Sequence, residues 1–208
     1  MNYIIDHANI NEINEVLSMG IDKVTANPTM YKNNNTTLQD FINYYKNKEL
    51  SFLSAEVMGS TFEEMKQEVE TILAYYPEAV IKINFSKEGL KLCNYLHKKN
   101  IKTAMTLVFS LEQVLAAINA HADYIFCFVG RNDENGSDGL QFLNDAHHAT
   151  NGTHTNIIAA SIKNLFQLQE LSRIGIPYAA IPYALYMKSL EHPLTNSGAQ
   201  TFKEDWAL

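Results

Sequence analysis

Residues 79–108, AVIKINFSKEGLKLCNYLHKKNIKTAMTLV, contain the repeating unit from which the fold follows. The β-branched run at Ala79–Ile83 is typical of a buried strand. Across Lys87–Lys99, apolar residues recur three and four positions apart, which predicts an amphipathic helix. A second apolar run follows at Thr103–Val108. We therefore predict a parallel βαβ unit, because parallel strands need a long crossover connection between them.

The same alternation of strand and helix patterns runs along the whole chain. Eight strands are predicted: Tyr3–Asp6, Lys23–Asn27, Phe52–Val57, Ala79–Ile83, Thr103–Val108, Tyr124–Val129, Ile157–Ser161 and Tyr178–Pro182. Eight consecutive β-then-α units can close on themselves and leave no sheet edge exposed. The sequence therefore predicts an α/β fold in which residues 1–208 form a single (β/α)8 TIM barrel domain.

An open doubly wound sheet is the alternative fold. Such a sheet usually binds a nucleotide at a glycine-rich turn after its first strand. Here that turn is His7-Ala8-Asn9-Ile10, which contains no glycine. The turn favours the barrel.

The composition is typical of a soluble globular protein with an acidic surface. The 208 residues include 23 Asp and Glu against 16 Lys and Arg, a formal net charge of −7, and 46% are hydrophobic. Such a chain lacks the broad positive field that binds phosphate backbones, so we expect no nucleic-acid partner. No apolar run approaches the ~20 residues that cross a bilayer, and Asp6 comes too early for a signal peptide, so we expect no membrane association and a cytoplasmic location. Cys93 and Cys127 have no C-x-x-C spacing and are expected to be reduced core residues.

Polar residues end or interrupt nearly every predicted strand. The positions are Asp6, Thr25, Asn27, Glu56, Lys82, Thr106, Arg131, Ser161 and Lys163. In barrels of this class the reacting groups stand at the C-terminal ends of the strands. Any one of these residues can have a structural role instead, and Asp6 alone is more simply a helix cap. Together they predict a site at one end of the barrel.

Lys82 is the most informative of these positions. It places an ammonium group inside a β-branched strand, where a charged side chain loses most of its hydration. A desolvated lysine can become the neutral amine that attacks a ketone or aldehyde carbon. The alternative is a structural lysine whose ammonium reaches the rim or pairs with Asp6 or Glu56.

Five segments carry patterns that belong together in one known family. Val24–Thr29 resembles a T-T-N-P-S signature, and Val80–Ile83 followed by Glu88-Gly89-Leu90 resembles a K-[IV]-P…E-G-L lysine strand. Tyr3–Asp6 resembles an L-[FY]-L-D-[TS] opening, Ser54–Val57 a third strand, and Ala159–Asn164 an A-[AS]-[SF]-[FI]-[RK]-[NT] segment. These are patterns of the transaldolase family, and the resemblance covers almost the whole chain. The length is that of the small subfamily that contains fructose-6-phosphate aldolase.

The resemblance implies a class I aldolase-like barrel that works through a Schiff base, with no metal and no organic cofactor. Its substrate would be a ketose 6-phosphate or a close relative. Lys82 would form the imine at C2, and Asp6 would take the C4 hydroxyl proton. Glu56 and Thr106 would hold the water that shuttles protons, and Asn27 would bind hydroxyls of the three-carbon fragment.

The resemblance also implies where the anionic end of the sugar binds. Arg131, Ser161 and Lys163 match phosphate-binding positions of the family, and the same donors suit a sulfonate. Thr25 belongs to the substrate-binding signature, and Phe128 stands three residues before Arg131. Considered without the resemblance, Arg131 is more simply a solvated loop charge.

Two positions bear on the type of reaction. Aldolase members typically have Gln on the third strand and Tyr three residues before the phosphate-binding Arg, whereas transaldolases have Glu and Phe there. Glu56 and Phe128 therefore imply transfer of a three-carbon dihydroxyacetone unit from a ketose 6-phosphate or 6-sulfo ketose to an aldose phosphate. The alternatives are an aldolase that releases free dihydroxyacetone and a non-catalytic barrel that binds sugar phosphates. The resemblance further implies a homo-oligomer, a pentamer or decamer.

Some residues depart from the family pattern or suggest another chemistry. Ala26 replaces the second Thr of the signature, and Asn84 replaces the proline that follows the lysine strand. His147, His148 and His154 suggest a metal site, but adjacent histidines on a helix point about 100° apart and no carboxylate completes a ligand spacing. We therefore predict surface histidines and no metal.

Overall fold

A computed structural model describes residues 1–207 and shows a closed parallel barrel with strand order β1 to β8. The strands are β1 Asn2–Asp6, β2 Lys23–Thr25, β3 Phe52–Val57, β4 Val80–Asn84, β5 Thr103–Val108, β6 Tyr124–Phe128, β7 Asn156–Ala160 and β8 Tyr178–Ile181. The last strand pairs with the first, with Ile5 opposite Ile181. The predicted (β/α)8 TIM barrel is confirmed, and the open sheet is wrong because no edge separates β8 from β1 within residues 1–207.

Helices connect successive strands and form the outer layer. Within residues 1–207 they are α1 Ile10–Ser18, α2 Pro28–Asn33, α3 Leu38–Tyr45, α4 Phe62–Tyr75, α5 Lys87–His97, α6 Leu111–Asn119, α7 Val129–Glu134, α8 Gly139–Ala149, α9 Leu165–Ile174, α10 Tyr183–Ser189 and α11 Pro193–Trp206. No helix in this part of the chain is long and apolar enough to cross a membrane. None of the residues of α11 is buried, and Trp206 is 92% exposed.

The strand bounds agree with the prediction to within two residues. The largest difference is at β2, which ends at Thr25, whereas the prediction extended it to Asn27. Asn27 instead caps α2, where its side chain accepts a hydrogen bond from Met30 N, and Pro28 occupies the first turn. Proline there cannot continue a ladder and is well suited to begin a helix.

A cluster of apolar side chains fills the interior of the barrel. Its buried members are Ile4, Phe52, Val80, Ala104, Phe126, Ile158, Ala160 and Ala180. Side chains on a strand alternate between its two faces, so the residue two positions further along points the same way. Two residues after Ile4, Val80, Ala104 and Phe126 come Asp6, Lys82, Thr106 and Phe128. The pleat therefore directs four of the predicted site residues into the barrel, each closer to its C-terminal end than the apolar residue two positions before it.

Candidate active site

A cavity of about 430 Å³ opens at the C-terminal end of the barrel. Nine of the ten predicted site residues line it: Asp6, Asn27, Glu56, Lys82, Thr106, Phe128, Arg131, Ser161 and Lys163. They come from seven of the eight strands or the segments that follow them. Barrel closure thus brings together residues that are far apart in sequence.

Lys82 lies at the base of this cavity with Glu56 beside it. Their side chains are 6% and 7% exposed, and Lys82 Nζ stands 3.0 Å from Glu56 Oε2. This contact is an ion pair without hydrogen-bond geometry, since that oxygen has no hydrogen-bond partner. The ammonium donates instead to Ala26 O at 2.9 Å and lies 5.2 Å from the centre of the Phe126 ring. Lys82 therefore does not reach the rim, and of the two carboxylates considered from sequence it pairs with Glu56.

Asp6 ends β1 and is directed into the same cavity. Burial raises the pKa of its carboxyl group, an effect that Lys82 and His7 oppose and Glu56 adds to. Its Oδ1 atom is buried without a hydrogen-bond partner. The helix-cap interpretation of Asp6 is wrong, because Asn9 caps α1 by accepting from the backbone of the first turn.

Thr106 is presented by an irregular strand. The residue is 1% exposed on β5, opposite Asn84 of β4. The pairing of β5 with β6 shifts between Met105 and Val108, and Leu107 has a φ of 58°. A leucine in left-handed conformation is a strained feature of the backbone. The bulge turns Leu107 toward the cavity, which it lines.

The opposite wall carries the cationic groups. Arg131, predicted to follow its strand in a loop, lies in the short helix α7, and its guanidinium carbon is 5.1 Å from the centre of the Phe128 ring. Lys163 Nζ lies 3.0 Å from Glu134 Oε1, with both side chains about half exposed or more. Ser161 lines the same cavity and has a φ of 59°. Guanidinium, hydroxyl and ammonium donors converging at a rim are suited to a tetrahedral oxyanion.

A hydrogen-bond network fixes the segments that carry these cations. Lys163 N donates to Gln167 Oε1 at 2.7 Å, and Gln167 Nε2 donates to Asp133 Oδ2 at 2.6 Å. The other oxygen of Asp133 accepts from Gly139 N at 2.9 Å. Gln167 is 5% exposed, and through it this network joins α7, α8 and α9. It determines the spacing between the Arg131 and Lys163 segments.

Gly130 allows these segments to approach closely. Its amide donates to Ser161 O at 3.0 Å, and a Cβ atom at this position would lie 2.2 Å from that oxygen and 2.5 Å from Lys163 Cγ. We expect Gly130→Ala to lower the free energy of unfolding by about 1–3 kcal/mol, because the backbone must move to relieve the overlap. Chemical denaturation measures this loss. Gly198→Ala is the control, since no atom lies within 4 Å of the added carbon, and equal stability of the two variants would contradict the prediction.

One predicted site residue is not in the cavity. Thr25 is fully buried, and its hydroxyl is 2.6 Å from Ser54 Oγ. Ser54 precedes Glu56 by two residues on the same face of β3, so Thr25 lies one layer below the cavity floor.

Sequence reasoning also missed residues that line the cavity. These are Pro28, Thr29, Met30, Met58, Asn84, Leu107, Phe126, Ala160, Ile162 and Pro182. Met58 is 54% exposed. Asn84 could have been found, because it follows Lys82 by two residues and so shares its face. Leu107 could not have been found from sequence, because the bulge that directs its side chain into the cavity arises from the pairing of β5 with β6.

The histidines are separate from this site. The rings of His147 and His148 are 6.3 Å apart and tilted by 60°. His154 stacks near His97 and His121. Among residues 1–207 no group of three His, Cys, Asp or Glu side chains is arranged to hold one metal ion.

Comparison with known proteins agrees with the fold and places the chain in a family. A family model described as Transaldolase/Fructose-6-phosphate aldolase matches residues 3–207, and the chain belongs to this family. It is 36% identical over 210 residues to a probable transaldolase of Streptococcus pyogenes serotype M2 (strain MGAS10270), covering 100% of this chain and 98% of the relative. Probable transaldolases of Streptococcus equi subsp. zooepidemicus (strain MGCS10565) and Streptococcus equi subsp. equi (strain 4047) are each 37% identical over the same length and coverage. The family resemblance predicted from sequence is confirmed.

Proposed function

We propose that this protein is a transaldolase that transfers a three-carbon dihydroxyacetone unit from a ketose 6-phosphate or 6-sulfo ketose to an aldose phosphate. The transfer proceeds through a Schiff base on Lys82. The observation that carries the proposal is the buried Lys82–Glu56 pair at the base of a cavity whose rim holds Arg131 and Lys163. A ketose bound by its anionic end at that rim would place its carbonyl toward the amine.

The first step is imine formation. One proton passes from the Lys82 ammonium to Glu56, 3.0 Å away, and leaves a neutral amine that can attack a carbonyl carbon. The amine adds to C2 of the ketose, and the carbinolamine then loses its oxygen as water. Glu56 supplies the proton for that departure, and Thr106 assists through a hydrogen bond to the shuttling water. The product is a protonated imine.

The second step breaks the bond between C3 and C4. Asp6 takes the proton of the C4 hydroxyl, C4 becomes an aldehyde carbon, and the electron pair of the broken bond moves into the imine to give an enamine. The raised pKa of Asp6 suits this role, because a more basic carboxylate accepts a proton more readily. The enamine then attacks the carbonyl carbon of the acceptor aldehyde, which becomes the new C4, and Asp6 returns the proton to its oxygen. Hydrolysis of the imine releases the new ketose and restores Lys82.

The other predicted site residues in the cavity hold the substrate in position. The capping bond to Met30 N fixes the amide plane of Asn27, which leaves its NH2 group to bind hydroxyls of the three-carbon unit. Arg131, Ser161 and Lys163 bind the phosphate or sulfonate, which must compete with Glu134 for Lys163. Stacking on Phe128 holds the Arg131 guanidinium in a defined orientation.

Transfer is favoured over simple aldol cleavage by the apolar character of one wall. Phe128 packs against Phe109 with ring centres 5.1 Å apart, so this position offers no hydroxyl to protonate the enamine. The enamine would then persist until an aldehyde arrives. An aldolase that releases free dihydroxyacetone remains the second candidate because it needs the same lysine and carboxylates.

Trapping with borohydride tests the proposal. Incubation with fructose 6-phosphate followed by reduction should give a three-carbon adduct on the protein, visible by intact-mass spectrometry. Erythrose 4-phosphate added before reduction should discharge the adduct, whereas an aldolase would release dihydroxyacetone without an acceptor. If folded protein gives no adduct with fructose 6-phosphate or its 6-sulfo analogue, the non-catalytic barrel becomes the better interpretation.

A further inference from the structure

Asn84 is a polar cavity residue that the proposed mechanism does not use. It is the last residue of β4, two positions after Lys82, so both side chains point from the same face of the strand. It stands opposite Thr106 in the sheet register. Asn84 lines the same cavity as Lys82 and Glu56. A ligand attached to Lys82 therefore lies beside this amide.

The protein itself does not satisfy the hydrogen bonds of this amide. Its Nδ2 group donates to Met58 Sδ at 3.7 Å, and a thioether is a weak acceptor. Its Oδ1 atom is buried and has no hydrogen-bond partner. Exchanging the two ends of the amide changes nothing, since one end still faces sulfur and the other still lacks a partner. Such a group is costly to keep in a cavity wall, which indicates that its partner is a ligand.

The order of the strands indicates which part of the substrate Asn84 meets. Asp6 ends β1, and Arg131 and Ser161 follow β6 and β7, so C4 and the anionic end of the sugar extend toward that side of the barrel. In the closed barrel β4 lies opposite β8, the strand between β7 and β1. The end of the three-carbon unit nearest Asn84 is therefore C1, which carries a hydroxyl group.

We propose that Asn84 is a specificity-determining residue that hydrogen-bonds the C1 hydroxyl of the three-carbon unit held by Lys82. This inference rests on the proposed function and assigns to it the residue that recognises the C1 hydroxyl. The enzyme selects ketose donors with a hydroxyl on C1 and discriminates against 1-deoxy ketoses. Loss of the amide therefore changes the choice between these donors more than it changes the chemistry of cleavage.

The test compares fructose 6-phosphate with 1-deoxyfructose 6-phosphate as donors. Asn84→Leu keeps the size of the side chain and removes both polar groups. We expect the ratio of kcat/KM for the two donors to fall about tenfold in this variant, mainly through loss of activity on fructose 6-phosphate. Asn84→Asp retains an acceptor oxygen and should keep most of the wild-type ratio. Asn94→Leu, the same change on α5 outside the cavity, should leave the ratio unchanged.

Stability provides a readout that separates ligand binding from a structural role. If Asn84 serves a ligand, Asn84→Leu has a Tm equal to or above that of the wild type, because an unpaired polar group has been removed. An unchanged donor ratio in Asn84→Leu, or the same loss of ratio in Asn94→Leu, would overturn the inference. Wild-type protein that forms no borohydride adduct with either donor would instead reject the proposed function, so the two failures are distinguishable.

Discussion

Replacing Lys82 with methionine is expected to lower kcat for transfer by at least ~10⁴-fold and to abolish the borohydride adduct. Methionine fills a similar volume without an amine, so imine formation at this position is impossible. The measurement combines a coupled activity assay with intact-mass spectrometry after reduction. Residual adduct in the variant would show that another lysine is the nucleophile.

The same substitution has a second expected effect, on stability. It leaves the 7%-exposed Glu56 without its cation, and an unpaired buried charge costs about 3–5 kcal/mol. We therefore expect a lower free energy of unfolding for Lys82→Met at pH 7. In Lys82→Met/Glu56→Gln, stability should return while activity does not, because the buried charge is gone but the nucleophile is still missing. Failure of the second change to restore stability would mean that Glu56 is not energetically coupled to Lys82.

Lys91→Met is the matched control for both measurements. Lys91 is on α5, its side chain is 64% exposed, and it pairs with Glu88 in the same helix. Exposed pairs of this kind contribute about 0–1 kcal/mol. The control should therefore retain activity, adduct formation and nearly all of the stability.

The fold was predictable because each strand has its own local signal. A short apolar run such as Val80–Ile83 is followed by a helix-period segment, and this occurs eight times. By contrast, no local sequence pattern shows how far along the barrel axis each side chain lies. Thr25 and Asp6 are register partners across β1 and β2, and Asp6 lines the cavity. The Thr25 hydroxyl, however, is hydrogen-bonded to Ser54 below the cavity floor. Barrel strands are staggered, and this stagger cannot be read from one strand.

The partner of Lys82 shows the same limit. The sequence left both Asp6 and Glu56 open as partners, because both carboxylates lie at or near the ends of predicted strands. Pairing decides between them: Glu56 of β3 is directly opposite Lys82 of β4, whereas β1 does not adjoin β4. Neighbouring strands place side chains within ion-pair distance. The sequence pattern thus predicted which residues belong to the site. Which of them contact each other could be determined only from the register of neighbouring strands.

Asp6→Asn is expected to separate imine formation from bond cleavage. The amide cannot take the C4 hydroxyl proton, so kcat should fall by about 10²–10⁴-fold. Lys82 is unchanged and should still form the imine. Borohydride reduction with fructose 6-phosphate should then trap the intact six-carbon sugar phosphate in place of the three-carbon unit. A three-carbon adduct formed at the wild-type rate would contradict the role assigned to Asp6.

The stability of Asp6→Asn should change with pH in a defined direction. Burial raises the pKa of Asp6 in the folded state above its ordinary value, so the ionised carboxylate lowers wild-type stability at neutral pH. That loss is relieved as the pH falls through the raised pKa toward about 4, because the folded state then binds the proton. The variant has no such group and should be at least as stable as the wild type at pH 7. Denaturant unfolding between pH 7 and pH 4 should show its advantage shrinking on acidification, and an advantage that grows would mean that Asp6 is stabilised as an anion.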